Sequence, residues 1–437
     1  MNNIMNTTPQ VSLPESHRSV IIPSQAGGRR LWAFMGPGFL VAVGYMDPGN
    51  WATGLAAGSA YGYTLLSVVL IASLMAIVLQ IMAARLGIAT GKDLAQLCRD
   101  RYNKLSVFGL WIMAELAIIA TDLAELLGSA IALNLLFDIP IIAGILITVL
   151  DVLLILTLQQ RGFRLIEAVV VTLITSITVC FSFELALANP DWQAAMTGLV
   201  PTSGLLTDST MLYLALGILG ATVMPHNIYL HSALVQTRAI GADDAAKKEA
   251  MRYASFDTVI ALSFAFFINA AIVVLAASVF YANGKTNIAE IQDAYQLLTP
   301  MLGAGLASTL FAVALLASGQ NATLTATLAG QVVMEGFLNI RLPAWQRRLV
   351  TRGLAVIPAI WVTWYFGEHG TASLLVFSQV VLSLQLPFAL VPLWVMTNDK
   401  NLMGNFSNPL WLKVLAASIT ALIIVLNIRL LWGFIFL

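Results

Sequence analysis

Two short stretches of this chain set metal-capable side chains beside a proline: Asp47-Pro48-Gly49-Asn50 and Val223-Met224-Pro225-His226. Asp47 and Asn50 offer hard oxygens and Met224 a soft thioether. Such sulfur is a poor ligand for Mg²⁺ or Ca²⁺ and an acceptable one for Mn²⁺, Fe²⁺, Co²⁺ or Cd²⁺. The mixture therefore points to a transition metal. A lone methionine is ordinarily packing; its place beside a proline, opposite a second such stretch, changes that reading. Proline removes a backbone donor and clashes with the preceding turn, so each helix should unwind there and free carbonyls. Those of Gly44 and Ala221 would complete a metal shell. His226 could bind the metal, carry a proton or be a satisfied core histidine. Imidazole titrates near neutrality, and the proton role is favoured.

A third constellation is Glu115, Asp122 and Glu125. Separations of seven and three residues put all three on one helical face. A row of acids along a membrane helix is the usual form of a proton pathway. Structural pairing with Arg347 and Arg348 is the competing reading. Arg238 divides between a partner on the exit path and a topological anchor. Asn269 and Thr222 are expected to support the ligands from behind, and Gln379 to face the site from outside. Gln385 reads as helix-to-helix glue and His231 as packing. Ser318-Gly319-Gln320-Asn321 is predicted to break its helix, and Asp151 and Asp257 are structural or gating groups.

The elements that must position these residues are membrane helices. Of 437 residues, 59% are hydrophobic and only 10% charged, where a soluble domain carries about 25%. Apolar runs of about 20 residues, long enough to span a bilayer core of about 30 Å, recur eleven times. They lie near 32–58, 63–86, 106–131, 139–158, 164–187, 211–236, 256–280, 303–337, 348–366, 371–396 and 411–435. Basic residues fall in alternate connections, with Lys285 the exception. By the positive-inside rule the N-terminus is cytoplasmic and the C-terminus outside. Asp47 then lies about 22 Å into its helix, near mid-membrane, where a charge costs about 2.5–3.5 kcal/mol. The two prolines are 177 residues apart (225 minus 48), a spacing that suits two repeats with paired broken helices. Residues 1–31 read as a disordered cytoplasmic tail. No glycine-rich phosphate loop or soluble nucleotide-binding domain appears, which argues against an ATP-driven pump and for an ion gradient as the energy source. An intramembrane metalloenzyme would need three or more protein ligands and an open position; no such set is present, and the chain reads as no enzyme.

Gly44-Tyr45-Met46-Asp47-Pro48-Gly49-Asn50, Gly220-Ala221-Thr222-Val223-Met224-Pro225-His226 and Thr121-Asp122-Leu123-Ala124-Glu125 closely resemble the Nramp family of divalent metal transporters, its bacterial manganese transporters in particular. The likeness covers nearly all eleven segments. It implies an all-α, polytopic LeuT-type fold with 5+5 inverted repeats at 32–187 and 211–396 and discontinuous first and sixth spans. An extracellular connection at 188–210 and a loop with an eleventh helix at 397–437 complete it. It implies alternating-access import of Mn²⁺ and Fe²⁺, with Cd²⁺ and Co²⁺, coupled to protons, in a bacterial inner membrane. The metal would meet Asp47, Asn50, Met224, the carbonyls of Gly44 and Ala221, and Gln379 in an outward state. Protons would run from Asp47 or His226 through Glu125 and Asp122 toward Arg348, Arg347 and Glu115. The expected partners are the metal ions, protons and the lipid bilayer, with no prosthetic group, no nucleic acid and a functional monomer. A sodium-coupled organic-solute transporter on the same scaffold is the alternative. Two departures stand out. Gly44 replaces an alanine, harmlessly if only its carbonyl matters, and Gly54 replaces an Asn or Asp, which should loosen the outer part of the first span.

Overall fold

Inside a bilayer every backbone polar group must find its partner within the protein, which leaves helices as the economical element for such a chain. The computed structural model describes residues 12–23, 28–150, 163–303, 305–342, 344–366 and 370–436; among them the ordered elements are helices, with one isolated bridge between Val20 and Arg238. Asp151 and the Arg348 side chain lie outside the described residues.

In chain order the helices that frame the bundle are α1 (Gly28–Phe34), α2 (Pro37–Gly44), α3 (Pro48–Tyr61), α4 (Leu66–Thr90), α5 (Leu94–Arg101), α6 (Lys104–Phe137), α7 (Ile141–Thr148), α8 (Phe163–Ala188), α9 (Ser209–Val223) and α10 (Pro225–Leu234), further connecting helices being left unnumbered. They continue with α11 (Asp244–Val279), α12 (Ala307–Leu338), α13 (Ala344–Phe366), α14 (Thr371–Asn398) and α15 (Leu410–Phe436). Among the described residues eight stretches are long and apolar enough to cross a membrane. The three remaining predicted segments differ for separate reasons. The first is split into α2 and α3, the fourth is described only through α7, and the eighth, α12, is long but polar. Its Ser318, Asn321, Thr323 and Thr325 are all buried, so its polar groups face protein.

The broken helices form the centre. Within an 18-residue apolar window of each, 94% is buried in Ser209–Thr237, against 33% in Leu410–Gly433 and 28% in Leu349–Phe366. Helix α11 packs along α2, α3 and α4, α12 packs along α6, and α14 packs on α6 and α9. Helix α15 touches mainly α14 and is peripheral.

Two expectations fail. The Ser318–Asn321 stretch does not interrupt α12, which runs unbroken from Ala307 to Leu338. Without a proline, one glycine costs a helix only about 1 kcal/mol, and packing against α6 outweighs that. The expected disordered tail is ordered over residues 12–23 and again from Gly28. Ser12 Oγ donates to Asp93 Oδ2 at 2.6 Å and the Leu13 amide to Glu335 Oε2 at 2.9 Å. Val20 pairs with the backbone of Thr237 and Ala239. Polar composition suggested disorder; these long-range partners supply the ordering energy that composition lacks.

Candidate functional site

Each break is made by the residue preceding a proline, which the ring pushes out of the helical region. Asp47 takes φ −66°, ψ 164° and caps α3, accepting from the Asn50 amide at 2.8 Å. Met224 takes φ 41°, ψ 103° between α9 and α10, a conformation costly for any side chain larger than glycine. Asp47 and Met224 are fully buried, and Asn50 is 5% exposed.

Asn50 joins the two breaks. Its Nδ2 donates to Asp47 Oδ1 at 2.9 Å and to the Ala221 carbonyl at 3.1 Å. Asp47 Oδ2, also buried, has no hydrogen-bond partner among the described residues. The Gly44 carbonyl accepts from the Asp47 amide at 3.2 Å. The candidate carbonyls are therefore held rather than orphaned, and other freed carbonyls are met by side chains. Asn269 of α11 donates to Tyr45 O at 2.7 Å, Ser318 of α12 donates to Met46 O, and the Tyr45 hydroxyl donates to Val223 O at 3.4 Å. Thr222 and Asn269 border a small void with Tyr45 and Ser73. Gln379 reaches the first break from α14: a Cβ on Gly49 would fall 1.9 Å from its Nε2. Its Oε1 is buried without a partner.

Both departures of the sequence acquire a reason. A Cβ on Gly44 would meet Asn227 Nδ2 at 2.3 Å and Met224 Sδ at 3.1 Å, so the glycine gives room to both side chains. A Cβ on Gly54 would meet Ile272 at 2.8 Å; the outer part of the first span is tightly packed there rather than loosened. Asn227 itself was not anticipated. Its Nδ2 donates to Met224 Sδ and to Val41 O, each at 3.4 Å.

The acids of α6 do share a face directed inward. Asp122 and Glu125 are fully buried. His226 Nδ1 lies 3.4 Å from Thr121 Oγ1, beside Asp122 in sequence. Farther along, Arg347 holds Glu115 through contacts of 2.9 and 3.0 Å. The arginine against Glu125 is Arg352, 3.7 Å away and itself 1% exposed. It shares Thr323 with that carboxylate: Arg352 Nη2 donates to Thr323 Oγ1 at 3.0 Å, which donates to Glu125 Oε2 at 3.1 Å. Sequence reasoning singled out Arg347 and Arg348 and not Arg352. Its signal was available, since it lies one helical turn deeper than Arg347 and Arg348.

Arg238 is not brought to this row. It donates to Glu167 Oε1 at 2.7 Å, to Met35 O at 2.6 Å and to Ala33 O at 3.1 Å, tying the end of the second broken helix to the entry of the first. Asp257 accepts from the amides of Gly36 and Gly38, a carboxylate at the N-terminus of α2 where the helix dipole favours it. His231 Nδ1 contacts Gln80 Oε1 at 3.0 Å, and Gln80 Nε2 donates to the Tyr45 hydroxyl at 2.6 Å. That chain links α10 to the first break through a glutamine not singled out beforehand. Among the described residues no three His, Cys, Asp or Glu side chains cluster as a metal site; the arrangement is one carboxylate, amides, a thioether and carbonyls.

Known proteins are similar to this chain over almost its whole length. A "Divalent metal cation transporter MntH" of Xanthomonas campestris pv. campestris is 59% identical over 97% of this chain and 95% of its own. One of Listeria monocytogenes serotype 4a is 57% identical over 96% of this chain and 94% of its own. The crystal structure of an Eremococcus coleocola manganese transporter, in complex with an aromatic bis-isothiourea substituted compound, superposes with a TM-score of 0.88 at 43% identity, covering 95% of this chain and 90% of that one. Mhp1, a nucleobase-cation-symport-1 family transporter, shares the fold alone, with a TM-score of 0.58 at 15% identity over 82% of this chain and 77% of its own. The two broken helices and these likenesses make the fold LeuT-type. The family model for natural resistance-associated macrophage protein-like proteins matches residues 38–433, and the chain belongs to the Nramp family.

Proposed function

We propose that this chain is a proton-coupled importer of divalent transition metals, Mn²⁺ and Fe²⁺ with Cd²⁺ and Co²⁺, working by alternating access rather than as an enzyme. The observation that carries the reading is Asp47 Oδ2, a buried carboxylate oxygen without a hydrogen-bond partner among the described residues, at a break that Asn50 joins to the break holding Met224. The names of the MntH relatives and of the manganese transporter structure support the same substrate class. An arriving cation would be met by Asp47, Asn50, Met224, the Gly44 and Ala221 carbonyls, and Gln379 in an outward state. The Asn50 amide now donates to two of these acceptors, Asp47 Oδ1 and Ala221 O; a metal replaces that donor and uses the amide oxygen instead. Thr222 and Asn269 support the set from behind.

Protons would pass between Asp47 or His226 and Asp122 and Glu125, then toward Arg352, Arg348, Arg347 and Glu115. Arg238 acts as a seal between the inner ends of the two broken helices. The repeats are 32–187 and 211–396, joined through 188–210 and followed by 397–437. The chain would work as a monomer in a bacterial inner membrane, with its N-terminus cytoplasmic and its C-terminus outside, an orientation that the alternation of basic loops supports. Proteoliposomes with an acidic exterior should accumulate Mn²⁺ faster than those without a pH gradient, and Asp47→Ala should abolish that uptake. Undiminished transport by the variant overturns the site; uptake indifferent to pH overturns the coupling.

A further inference from the structure

The end of the bundle that carries the basic loops has a cleft of about 530 Å³ that metal transport does not use. Arg85 near the end of α4 and Lys248 and Arg252 from the first turns of α11 line it, with Asp244 and Asn405 at its edge and Met251 and Phe406 as apolar surface. Three cations thus face one carboxylate, and that carboxylate is engaged: Asp244 Oδ2 accepts from Asn405 Nδ2 at 2.9 Å. Arg85 Nη2 donates to Phe406 O at 3.0 Å, while its buried Nε has no hydrogen-bond partner among the described residues. Among the described residues neither Lys248 nor Arg252 has an ion-pair partner, and both are exposed.

The cleft borders an apolar surface. One turn beyond Arg252, Phe256 is 49% and Val259 41% exposed, and Phe264 and Phe267 continue that face along α11. Cationic donors, an apolar floor and an apolar helix face leading away match a phosphate that carries acyl chains. Guanidinium forks fit phosphate oxygens, and basic pockets between membrane helices hold anionic headgroups. We propose that this cleft binds the phosphate headgroup of an anionic phospholipid, tying together α4, α11 and the Asn405–Phe406 segment ahead of α15. Assigning the cleft to the cytoplasmic leaflet rests on the orientation proposed above. The binding does not, and its failure would leave the transport reading untouched.

The test is native mass spectrometry of the full-length protein with phosphatidylglycerol, phosphatidylcholine of the same acyl chains, and inorganic phosphate. Phosphatidylglycerol should be retained at least about tenfold more strongly than phosphatidylcholine. Lys248→Gln with Arg252→Gln should bring the two lipids level, while Lys400→Gln, an exposed cation elsewhere, keeps the preference. Lys248→Gln alone should reduce the preference severalfold and serves if the double variant is unstable. A preference that survives the substitutions overturns the proposal. So does inorganic phosphate that displaces the lipid at equal concentration, which would make the cleft a site for free anions.

Discussion

Replacing Arg238 with methionine asks whether the inner ends of the two broken helices are held shut by one buried contact. Arg238 and Glu167 meet at 2.7 Å with side chains 1% and 6% exposed, and the same guanidinium holds the carbonyls of Ala33 and Met35. Removing one partner of a buried pair costs about 3–5 kcal/mol. Arg164, also on Glu167 at 2.8 Å but 48% exposed, returns part of that, so about 2–3 kcal/mol should be lost from the closed arrangement. At a factor of ten for every 1.4 kcal/mol, opening at this end becomes about 30- to 140-fold more populated. Hydrogen–deuterium exchange of the full-length protein reads this directly: amides from Ala33 to Gly44 should exchange faster by that factor. Glu167→Gln should act in the same direction, and the double variant should add little, since both residues act through one contact. If protection along α2 stays within about twofold of the parent, the seal lies elsewhere and the argument fails.

Three further expectations concern other parts of the fold. Met224→Ala should erode discrimination of Mn²⁺ and Cd²⁺ against Ca²⁺ and Mg²⁺ in competition uptake, because only the thioether favours soft ions; an unchanged competition profile would argue against sulfur ligation. Gly220→Ala should destabilise by about 1–3 kcal/mol, since its Cβ would fall 2.0 Å from the Gln379 carbonyl oxygen and 2.6 Å from the Ser383 amide, both backbone; a melting temperature equal to the parent's would contradict that approach. Asp93, buried outside the spans beneath Ser12, has its carboxyl pushed up from 3.8 to about 6 by burial. Between those values the folded protein keeps a proton that the unfolded chain has lost, so this contribution to stability falls as pH rises through the window. It amounts to at most about 3 kcal/mol. Asp93→Asn should flatten the decline in melting temperature from about pH 4 to about pH 6.5, and parallel profiles would refute the assignment.

Much of the candidate site was legible because it is built from local exceptions to membrane chemistry. Proline after Asp47 and after Met224 dictates a break wherever the helix lies, and acids at positions 115, 122 and 125 must share a face of any helix. Arg352, Asn227, Gln80 and Glu167 were not legible as site residues. Each earns its role from a partner far along the chain: Arg352 from Glu125, Asn227 from Val41, Gln80 from Tyr45 and His231, and Glu167 from Arg238. The error over Ser318–Asn321 has the same origin. Its polar residues looked like a break, yet Ser318 serves the break of another helix by donating to Met46 O.

The sequence by itself therefore determined an all-helical membrane protein, the two interrupted helices and the chemical character of their side chains. These follow from hydropathy, proline geometry and ligand type, which act residue by residue. Tertiary structure alone decided how the breaks face each other through Asn50 and Ala221, why positions 44 and 54 are glycine, and which arginine answers which acid. The physical reason is that lipid and protein core are both apolar, so hydrophobic periodicity does not tell a helix's inner face from its outer one. Around the tetrads Asp47–Asn50 and Val223–His226, which face is inner is settled by long-range hydrogen bonds and close backbone approach.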